Sequence, residues 1–459
     1  MVIDSRRKGH LVSFGKAAGF DHQLKEDITV RTRFVALTLA LVLVLGMAFT
    51  ASAKVTLRHW DWHQPRMNLK LKYMEEYEKL NPDVTFETQV IGWEDYWTRL
   101  MSGVAGGDVP DIAQFHNSQT QAFLNHLEAY PADLFDYDRY KEEIINFEAA
   151  YLFDGTFHFY PVGIMTGLIF YNTDLWEAAG LTEADIPTTW DEFAVIAKRL
   201  TQYDDNGDIQ IAGFVPNGIL GVFWLDLHYQ LGGKLYGEDA KTVDWYNDAG
   251  IQALEYIEKL IYEDRVTEMG FLSFSEAMGT GHAGMVYSWS WLGGELNNNY
   301  PDLNWAVFRL PTFDGKLAPG PIARNNHETG MSVMKAARPE NKRAAFEFLK
   351  WLYEETDYLV EVNLILGTAP SNVNLLDDPR ITSDPLISAI AEQVPYTNIP
   401  GEIPFEVEND YGLGMLEDLL FFGYPAAEAM RAAEAEANGV LAERPVKWYV
   451  EDLYTPVAE

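Results

Sequence analysis

The chain has 459 residues, of which 47% are hydrophobic and 22% charged, values typical of a folded globular protein long enough for two domains. Its formal net charge of −35 argues against nucleic acid or an anionic membrane surface as partner, since both attract basic proteins. Cysteine is absent, which excludes disulfides, thiolate metal sites, cysteine nucleophiles and a lipid anchor on an N-terminal cysteine.

The N-terminal region has the pattern of a secretory signal. Arg31 and Arg33 precede an apolar run over 34–49, and an Ala-x-Ala cleavage site ends at Ala53. An uncleaved membrane anchor is the alternative, but the run is shorter than the roughly 18 apolar residues that a span needs. We therefore expect residues 1–53 to be a signal region cleaved after Ala53, and the mature protein to act in the periplasm.

Residues 1–29 precede this signal and are polar and mixed in charge. Two explanations remain open for them. Either the start is misassigned and Val30 is the true initiator, or the signal has an unusually long first region.

The chain that follows the signal alternates predicted strands and helices. Segment 54–60 (KVTLRHW) alternates with period two, which indicates a strand, and Pro65 takes a favoured first position of a helix. Asn81-Pro82 predicts the end of that helix. The pattern continues with a strand over 84–91, a helix over 94–107 and a strand over 109–115. The order β-α-β-α-β with short loops indicates a parallel sheet with helices on its faces.

Helix signals recur later in the chain. Thr189 with Glu192 forms the sequence pattern of a capping box, and 341–355 is strongly amphipathic. A last helix is predicted over 426–441, ended by Asn438-Gly439. No linker rich in glycine and serine separates two domains, so we expect several chain segments to join them.

Five stretches follow the order found in one protein family. They are GGDVPDIAQF (106–115), FYPVGIMTGLIFYNTDLWEAAGL (159–181), PTTWDEFAVIAKRLT (187–201), GHAGMVYSWSW (281–291), and NKRAAFEFLKWL followed by GTAPSNVNL (341–352 and 367–375). Together they resemble the extracellular solute-binding proteins of ABC importers, in the sugar-binding group that includes maltose-binding proteins. Each motif alone has low specificity, and their order over 54–445 carries the resemblance.

The resemblance implies an α/β fold of two lobes, each a mainly parallel sheet flanked by helices, with a ligand cleft that closes on a hinge. Mapped onto this chain, lobe 1 is 54–162 plus 322–370 and lobe 2 is 163–321 plus 371–459. The resemblance also implies a membrane permease as partner and one copy of the protein per transporter, hence a monomer. Met165-Thr166 departs from maltose binders, which place an acidic and a small residue there, so the ligand is not safely maltose.

Ligand residues are expected where the predicted strands end, because pockets in α/β sheets form beyond the carboxyl ends of strands. Aromatic rings stack on the C–H faces of sugars, and carboxylates, amides and histidines bond to the hydroxyl groups. The candidates that combine these groups are Trp60, Asp61, Trp62, His63, Trp93, Glu94, His116, Asn117, Tyr160, Trp224, Asp226, Trp289, Trp291, Asn325, Asn326 and His327.

Two Trp-x-Trp pairs stand out among these candidates. Trp60 and Trp62 share a face if the extended conformation continues through them, and Trp289 and Trp291 lie in the stretch that resembles the family's cleft aromatics. A position in the core is the competing interpretation for the tryptophans, and helix capping is the competing role for Asn117.

Other classes of site find little support. The loop YDDNGDIQ (203–210) looks like a calcium loop, but its first and last ligand places fall on Gln202 and Gly213. A turn at Asn206-Gly207 is expected instead. The sequence contains no phosphate loop, zinc-protease motif or nucleophile elbow, and we expect neither a metal nor a cofactor.

The sequence therefore predicts a carrier rather than an enzyme, which captures a carbohydrate, in the first place an oligosaccharide, in an aromatic cleft. Two alternatives stay open. The same fold can bind another solute such as a polyamine or a sugar phosphate, and a cation suits a cleft that is both aromatic and acidic. A secreted glycoside hydrolase needs two carboxylates about 5–9 Å apart, and 69 acidic residues offer many pairs.

Overall fold

The computed structural model describes residues 54–237, 241–317, 320–399 and 403–447. The signal segment predicted over 1–53 lies outside these ranges, so its cleavage stays a prediction. None of the helices in the described ranges is long and apolar enough to cross a membrane.

The described residues form a mixed α/β structure. The strands are β1 (Val55–Asp61), β2 (Val84–Val90), β3 (Ile112–Gln114), β4 (Pro161–Asn172), β5 (Gln202–Tyr203), β6 (Ile209–Ile211), β7 (Met285–Trp289), β8 (Trp305–Phe308), β9 (Ala323–Thr329), β10 (Met331–Val333), β11 (Ala369–Pro370) and β12 (Thr397–Asn398).

Helices connect and cover these strands. They are α1 (Gln64–Leu80), α2 (Trp93–Gly106), α3 (Thr120–Phe123), α4 (Tyr137–Glu143), α5 (Phe147–Tyr151), α6 (Thr173–Ala178), α7 (Trp190–Leu200), α8 (Leu220–Gln230), α9 (Asp248–Glu258), α10 (Phe274–Gly279), α11 (Leu292–Asn299), α12 (Pro339–Glu354), α13 (Thr356–Leu366), α14 (Pro379–Thr382), α15 (Pro385–Gln393), α16 (Phe405–Asn409), α17 (Leu416–Phe421) and α18 (Ala426–Glu443).

The first sheet has the strand order β10-β3-β1-β2. β1 runs parallel to β2 and to β3, whereas β10 is antiparallel to β3. The parallel part confirms the β-α-β-α-β order predicted from the sequence. Since parallel strands end at the same edge of a sheet, the residues that follow β1, β2 and β3 come together there.

The second sheet is built around β4, which pairs with β7, β8, β9 and β11. β4 is buried along all of its residues, as expected of an apolar strand covered on both faces. These pairings are antiparallel, so the expectation of a mainly parallel sheet is wrong for this half. β4 enters this sheet from the residues that follow β3 of the first sheet, whereas β9 leaves it directly for β10 of that sheet, so β4 and β9 run in opposite directions.

Two passages of the chain between the sheets run side by side. Gly330 separates β9 of the second sheet from β10 of the first, and its N–H donates to the Tyr160 carbonyl at 2.6 Å. A β-carbon on Gly330 would lie 2.3 Å from the Tyr353 hydroxyl, so this close approach requires glycine. More than one segment therefore joins the sheets, as the missing linker predicts.

Buried apolar side chains form two clusters. The first core extends from the first sheet, with Leu57 and Ile112, to Phe170 on one face of the second sheet. The second core lies on the other face of that sheet and includes Met165 and Trp289 together with residues of α8 and α18. α8 has buried residues on all sides, because most positions of LGVFWLDLHYQ are apolar and its polar residues Asp226 and His228 are buried as well.

Two local predictions have opposite outcomes. The capping box is confirmed, since the Thr189 hydroxyl accepts the Glu192 N–H at 3.2 Å and the Glu192 carboxylate accepts the Thr189 N–H at 3.1 Å. The predicted end of the last helix at Asn438-Gly439 is wrong, because α18 continues to Glu443. The Asn438 amide instead bonds to both the N–H and the carbonyl of Val243.

The loop that looked like a calcium site is a tight turn between β5 and β6. Gly207 has a φ of 84°, and the Asp204 carboxylate accepts the N–H groups of Asn206 and Asp208. The predicted turn is confirmed. Within the described ranges, no group of three or more His, Asp or Glu side chains is placed to hold a metal ion.

Candidate ligand-binding cleft

Three aromatic side chains meet at the edge of the first sheet. Trp62 follows β1, Trp93 begins α2 after β2, and His116 follows β3. The ring centroids of Trp62 and Trp93 are 5.0 Å apart, those of Trp93 and His116 5.2 Å, and those of Trp62 and His116 6.4 Å. All three contacts are edge-to-face, a favourable arrangement for aromatic pairs. We call these three residues the aromatic cluster.

A buried network of charges supports the aromatic cluster from behind. The Arg66 guanidinium lies 4.7 Å from the Trp62 ring centroid and donates to both carboxylate oxygens of Asp61, at 2.7 and 3.0 Å. Its third nitrogen donates to Glu328 of β9 at 2.6 Å. Lys70 also donates to Asp61, at 2.7 Å. Burial disfavours the charge of Asp61, yet Arg66 and Lys70 outweigh that effect and hold its pKa well below the usual range.

The opposing surface is one face of the second sheet. Arg324, Asn326 and Glu328 alternate along β9 and therefore share a face, and the pairing of Met165 with Asn326 places Met165 there too. Trp289 pairs with Gly167 two residues further along β4, so its side chain belongs to the same face.

Trp289 and Arg324 form a stacked pair on this face. The Arg324 guanidinium lies 4.8 Å from the Trp289 ring centroid, which is a cation–π distance. Arg324 also pairs with the Glu408 carboxylate of α16. Its Nε is buried and has no hydrogen-bond partner among the described residues. The ring of Trp289 is thus held in a fixed orientation beside a polar group.

Side-chain bonds to β9 join the surfaces of the cleft, and two of them lie beside the aromatic cluster. The side-chain N–H of Asn117 donates to the side-chain amide oxygen of Asn326 at 2.6 Å, next to His116. The bond from Arg66 to Glu328 is the second, and it is buried. The aromatic cluster therefore faces the strand β9 across a narrow gap.

A cavity of about 470 Å³ opens beyond the aromatic cluster. One wall carries Trp93, Glu94 and Trp97 of α2, and the other carries Phe405 of α16 and Arg444, which follows α18. We call this space the mouth cavity.

The imidazole of His116 has a defined tautomer. Its Nδ1 accepts the backbone N–H of Ser118 at 3.2 Å, and a backbone N–H can only donate. The ring proton of the neutral imidazole therefore lies on Nε2, which bonds to no other group within the described residues. Burial lowers the pKa of His116 to about 4, so near neutral pH the ring offers the cleft an uncharged N–H donor.

Asp226 holds the floor of the second surface in place. Its carboxylate accepts the backbone N–H of Arg324 at 2.8 Å and the hydroxyl of Tyr287 at 2.6 Å. Burial raises the pKa of Asp226 to about 7. Asp226 is itself fully buried, so it orients β7 and β9 without lining the cleft.

Part of the predicted set comes together in the cleft and its mouth. These residues are Trp62, Trp93, Glu94, His116, Asn117, Trp289 and Asn326. Their roles as ligand contacts stay predictions, which the variants described below test.

Four predicted contacts lie inside the protein, and we correct their roles accordingly. Asp61 and Asp226 are fully buried among their own partners, as described above. Tyr160 stacks on Tyr353 with centroids 3.9 Å apart. The Trp224 indole stacks on His228 and donates to the Gly250 carbonyl in the second core. Each makes packing or hydrogen-bond contacts that leave no ring face or polar group for a ligand.

Trp60 and Trp62 do not share an environment. β1 ends at Asp61 and the chain bends at Trp62, so the extended conformation that would align the two rings is interrupted. The Trp60 ring is buried between the guanidinium groups of Arg58 and Arg99, with centroid distances of 5.9 and 4.8 Å. We therefore do not include Trp60 in the candidate ligand site.

The remaining predicted residues have structural partners. His63 accepts the N–H of Arg66 as the helix cap of α1, and the Asn325 amide donates to Thr397. The His327 Nδ1 lies 2.5 Å from the Tyr151 hydroxyl. Trp291 packs edge-on against Phe274 and is 37% exposed. Only Trp291 keeps a ring face open to solvent, and it stays a candidate.

Several cleft residues are missing from the predicted set. In the cleft they are Arg66, Arg324 and Glu408, and in the mouth cavity outside it they are Phe405 and Arg444. For Arg66 and Lys70 a signal exists, since both fall on the apolar stripe of α1 that also carries Tyr73. Charges on such a stripe indicate a buried ion pair. The other residues belong to distant segments of the chain, where no local sequence pattern indicates a position in the cleft.

The histidines give the protein a predictable response to acid. Burial lowers the pKa of His59 to about 3 and those of His228 and His327 to about 4. Below the ordinary pKa of about 6.5, the unfolded chain binds protons that the folded protein does not, so stability falls as the pH falls towards 4. Each of these histidines contributes a loss of up to ~1.4 kcal/mol per pH unit. Asp226, Glu328 and Glu417, whose pKa values are raised by burial, have the opposite sign and offset part of this loss.

Urea unfolding between pH 7 and 4.5 measures this effect. We expect the midpoint to fall steadily with an unchanged slope. About 1 M salt screens the repulsion among the many surface carboxylates, which itself varies with pH. A midpoint that stays constant or rises on acidification contradicts this prediction.

Known proteins share this architecture. Residues 63–357 match the family of bacterial extracellular solute-binding proteins. A putative binding protein of Brucella abortus is 22% identical over 383 residues, covering 80% of this chain and 90% of the relative. The arabinooligosaccharide-binding protein of Bacillus subtilis is 24% identical over 296 residues, covering 61% of this chain and 66% of the relative.

Solved structures agree at the level of the fold. The maltose/maltodextrin-binding domain of Bdellovibrio bacteriovorus, bound to maltotriose, superposes with a TM-score of 0.69 at 18% identity. The alignment covers 84% of this chain and 100% of that domain. The two-lobe α/β fold predicted from the sequence is confirmed. Because the family match extends over well more than half of the chain, the protein belongs to the bacterial extracellular solute-binding proteins.

Proposed function

We propose that the protein captures a neutral oligosaccharide in the cleft and delivers it to the permease of an ABC importer. The main support for this proposal is the aromatic cluster at the ends of three parallel strands, opposite Trp289 and Asn326 on the second sheet. Indole faces suit the C–H surfaces of sugar rings, and the His116 N–H and the neighbouring amides suit their hydroxyl groups.

Charge balance in the cleft supports a neutral ligand. Arg66 is matched by Asp61 and Glu328, and Arg324 is matched by Glu408. A phosphate or carboxylate ligand would have to displace one of these acidic partners and leave it without a counter-charge. The cleft thus offers hydrogen bonds without an unmatched positive charge.

The arginine–tryptophan pairs also disfavour a cationic ligand such as a polyamine. Arg66 already lies over the Trp62 ring and Arg324 over the Trp289 ring. A cation binds an indole through the negative potential of its face, which a guanidinium on the opposite side reduces. Uncharged C–H groups do not depend on this potential to the same degree.

The names of two similar proteins agree with this proposal. The Bacillus subtilis relative is an arabinooligosaccharide-binding protein, and the Bdellovibrio bacteriovorus domain was solved with maltotriose. Both ligands are neutral chains of sugar rings. We therefore expect an oligosaccharide rather than a single sugar.

The same proposal includes the working cycle. We keep the two lobes predicted from the sequence, 54–162 plus 322–370 and 163–321 plus 371–459, but move the second crossing from 322 to Gly330, because β9 pairs with β4 in the second sheet. The crossings at Tyr160 and Gly330 then act as the hinge. The protein works as an exported monomer in the periplasm, and closure around the ligand presents both lobes to the permease.

We further propose that the protein binds its ligand without catalysis. Glu328 and Glu408 beside the cleft and Glu406 in the mouth cavity are each engaged by an arginine, and Glu94 is the carboxylate of this lining that pairs with no basic residue among the described residues. Hydrolysis of a glycoside requires a proton-donating carboxylic acid and a second free carboxylate.

A thermal-shift screen tests the proposed function. A ligand at 100 times its dissociation constant adds about 2.7 kcal/mol to stability. We expect a shift with maltose- or arabinose-type oligosaccharides and none with spermidine or glycerol 3-phosphate. Product analysis of the bound fraction should recover the sugar unchanged. A shift confined to the polyamine or the phosphate, or turnover of the sugar, contradicts the proposal.

A further inference from the structure

We propose that the mouth cavity is an outer subsite that binds additional rings of the oligosaccharide, so that affinity increases with chain length. This inference rests on the proposed function, because it assumes that the first rings bind at the aromatic cluster. The proposed function does not say where a long ligand extends. The outer subsite places the additional rings in the mouth cavity, which therefore selects the length of the oligosaccharide.

The mouth cavity continues directly from the aromatic cluster. Trp93 belongs to both, since its ring contacts Trp62 and His116 and also lines the cavity. Trp97 lies one helical turn further along α2, with its ring 5.3 Å from that of Trp93. A ligand that stacks at the cluster therefore reaches the cavity along a continuous aromatic surface.

The lining has the mixture of groups that a sugar ring requires. Trp93 and Trp97 supply aromatic surface on one side, and Phe405 supplies it on the other. Glu94 and Arg444 add a carboxylate and a guanidinium at the rim. Rings bind sugar C–H faces while polar groups at the edges bind hydroxyls, the arrangement expected of a carbohydrate subsite. The volume of about 470 Å³ falls in the range of about 300–1,000 Å³ typical of small-molecule pockets.

The two walls come from different parts of the fold. α2 packs into the first core through Tyr96 and Leu100, whereas α16 packs into the second core through Val407. Gln121, on the α2 side, donates to the Pro445 carbonyl on the other side at 3.0 Å. A sugar ring in the mouth cavity thus contacts both walls at once and holds them together.

This geometry predicts where the gain in affinity occurs. A ring that bridges the walls must be released before the lobes separate, so additional rings slow dissociation more than they speed association. We expect the dissociation constant to fall about tenfold from disaccharide to tetrasaccharide, with most of the change in the off-rate.

The test is a titration of the purified protein with di-, tri- and tetrasaccharides of the maltose and arabinose series, in parallel with Phe405→Ala. The variant should keep the disaccharide affinity of the wild type and lose the tenfold gain for longer chains. Phe422→Ala is the matched control, because Phe422 is 72% exposed and lies outside the cavity lining. Arg444→Ala, at an exposed position of the rim, is a second variant in case Phe405→Ala fails to fold.

The outcomes separate the two proposals. Equal affinity for two and four rings, or an equal loss for both lengths in Phe405→Ala and Arg444→Ala, overturns the outer subsite and leaves the proposed function standing. Absence of binding in both sugar series overturns both. A loss of the length effect in Phe422→Ala also contradicts the assignment of the subsite.

Discussion

Arg66→Met is expected to lower the free energy of unfolding by about 3–5 kcal/mol. The guanidinium is 2% exposed and forms ion pairs with Asp61 and Glu328. Removing it leaves Glu328 without a partner, and an unpaired buried carboxylate is far costlier than a lost surface contact. Lys70 still pairs with Asp61, so most of the lost stability comes from the unpaired Glu328 of β9.

Urea unfolding of matched variants separates this effect from the loss of any arginine. Arg343→Met is the control, because Arg343 is 54% exposed and pairs with two exposed carboxylates. It should cost less than about 1 kcal/mol. In the background of Arg66→Met, adding Glu328→Gln should restore part of the stability by removing the stranded charge. Equal losses for Arg66→Met and Arg343→Met contradict the account of a buried network.

Trp289→Ala is expected to weaken binding of the best sugar from the thermal-shift screen by about 2–3 kcal/mol, roughly 30- to 150-fold in Kd. In the proposed cleft Trp289 is the aromatic residue on the second sheet, and Arg324 lies against its ring. Under this proposal, the substitution removes one of two aromatic surfaces that contact the sugar and leaves the aromatic cluster on the first sheet.

Isothermal titration of three variants measures this effect. Trp289→Phe should recover most of the affinity, since it restores an aromatic face. Trp305→Ala is the matched control, because this half-buried tryptophan lies on β8 with its ring against Phe170. Trp291→Ala decides whether the second ring of the Trp-x-Trp pair takes part. An unchanged Kd for Trp289→Ala would mean that the ligand does not use this surface.

The fold was largely accessible from the sequence because its signals are local. β1, α1 and β2 follow from hydrophobic period, from Pro65 and from the stop at Asn81. The antiparallel pairings of β4 were not accessible, since strand direction depends on where the chain crosses between sheets. Asn438 shows the same limit at the scale of one residue. Its side chain bonds to Val243, about two hundred residues earlier, and no local sequence pattern indicates that partner.

The candidate cleft was more accessible from the sequence on the side of the first sheet, although Trp289 and Asn326 of the second sheet were also predicted. The carboxyl ends of parallel strands meet by geometry, so Trp62, Trp93 and His116 could be grouped from their positions alone. Trp224 has the same composition of neighbours in the sequence but lies in a helix that is buried all round. The run of large apolar residues from Val222 to Leu225 in α8 was the signal against it.

Residues that hold the site together were the hardest to predict. Arg324 reaches the cleft through β9 and is paired by Glu408 from a helix more than eighty residues later. Asp226 was predicted to bind the ligand and instead orients β7 and β9 from below. Burial and partner choice, which decide such roles, depend on tertiary packing rather than on the residue type.

The central claim is that a neutral sugar chain lies between the aromatic cluster and Trp289. A crystal structure of the protein with the trisaccharide that gives the largest thermal shift tests it most directly. The account predicts density for sugar rings against Trp62 or Trp93 on one side and Trp289 on the other, with a hydroxyl or ring oxygen within hydrogen-bond distance of the His116 Nε2. Density for the sugar on another surface, with these three indoles untouched, would contradict it.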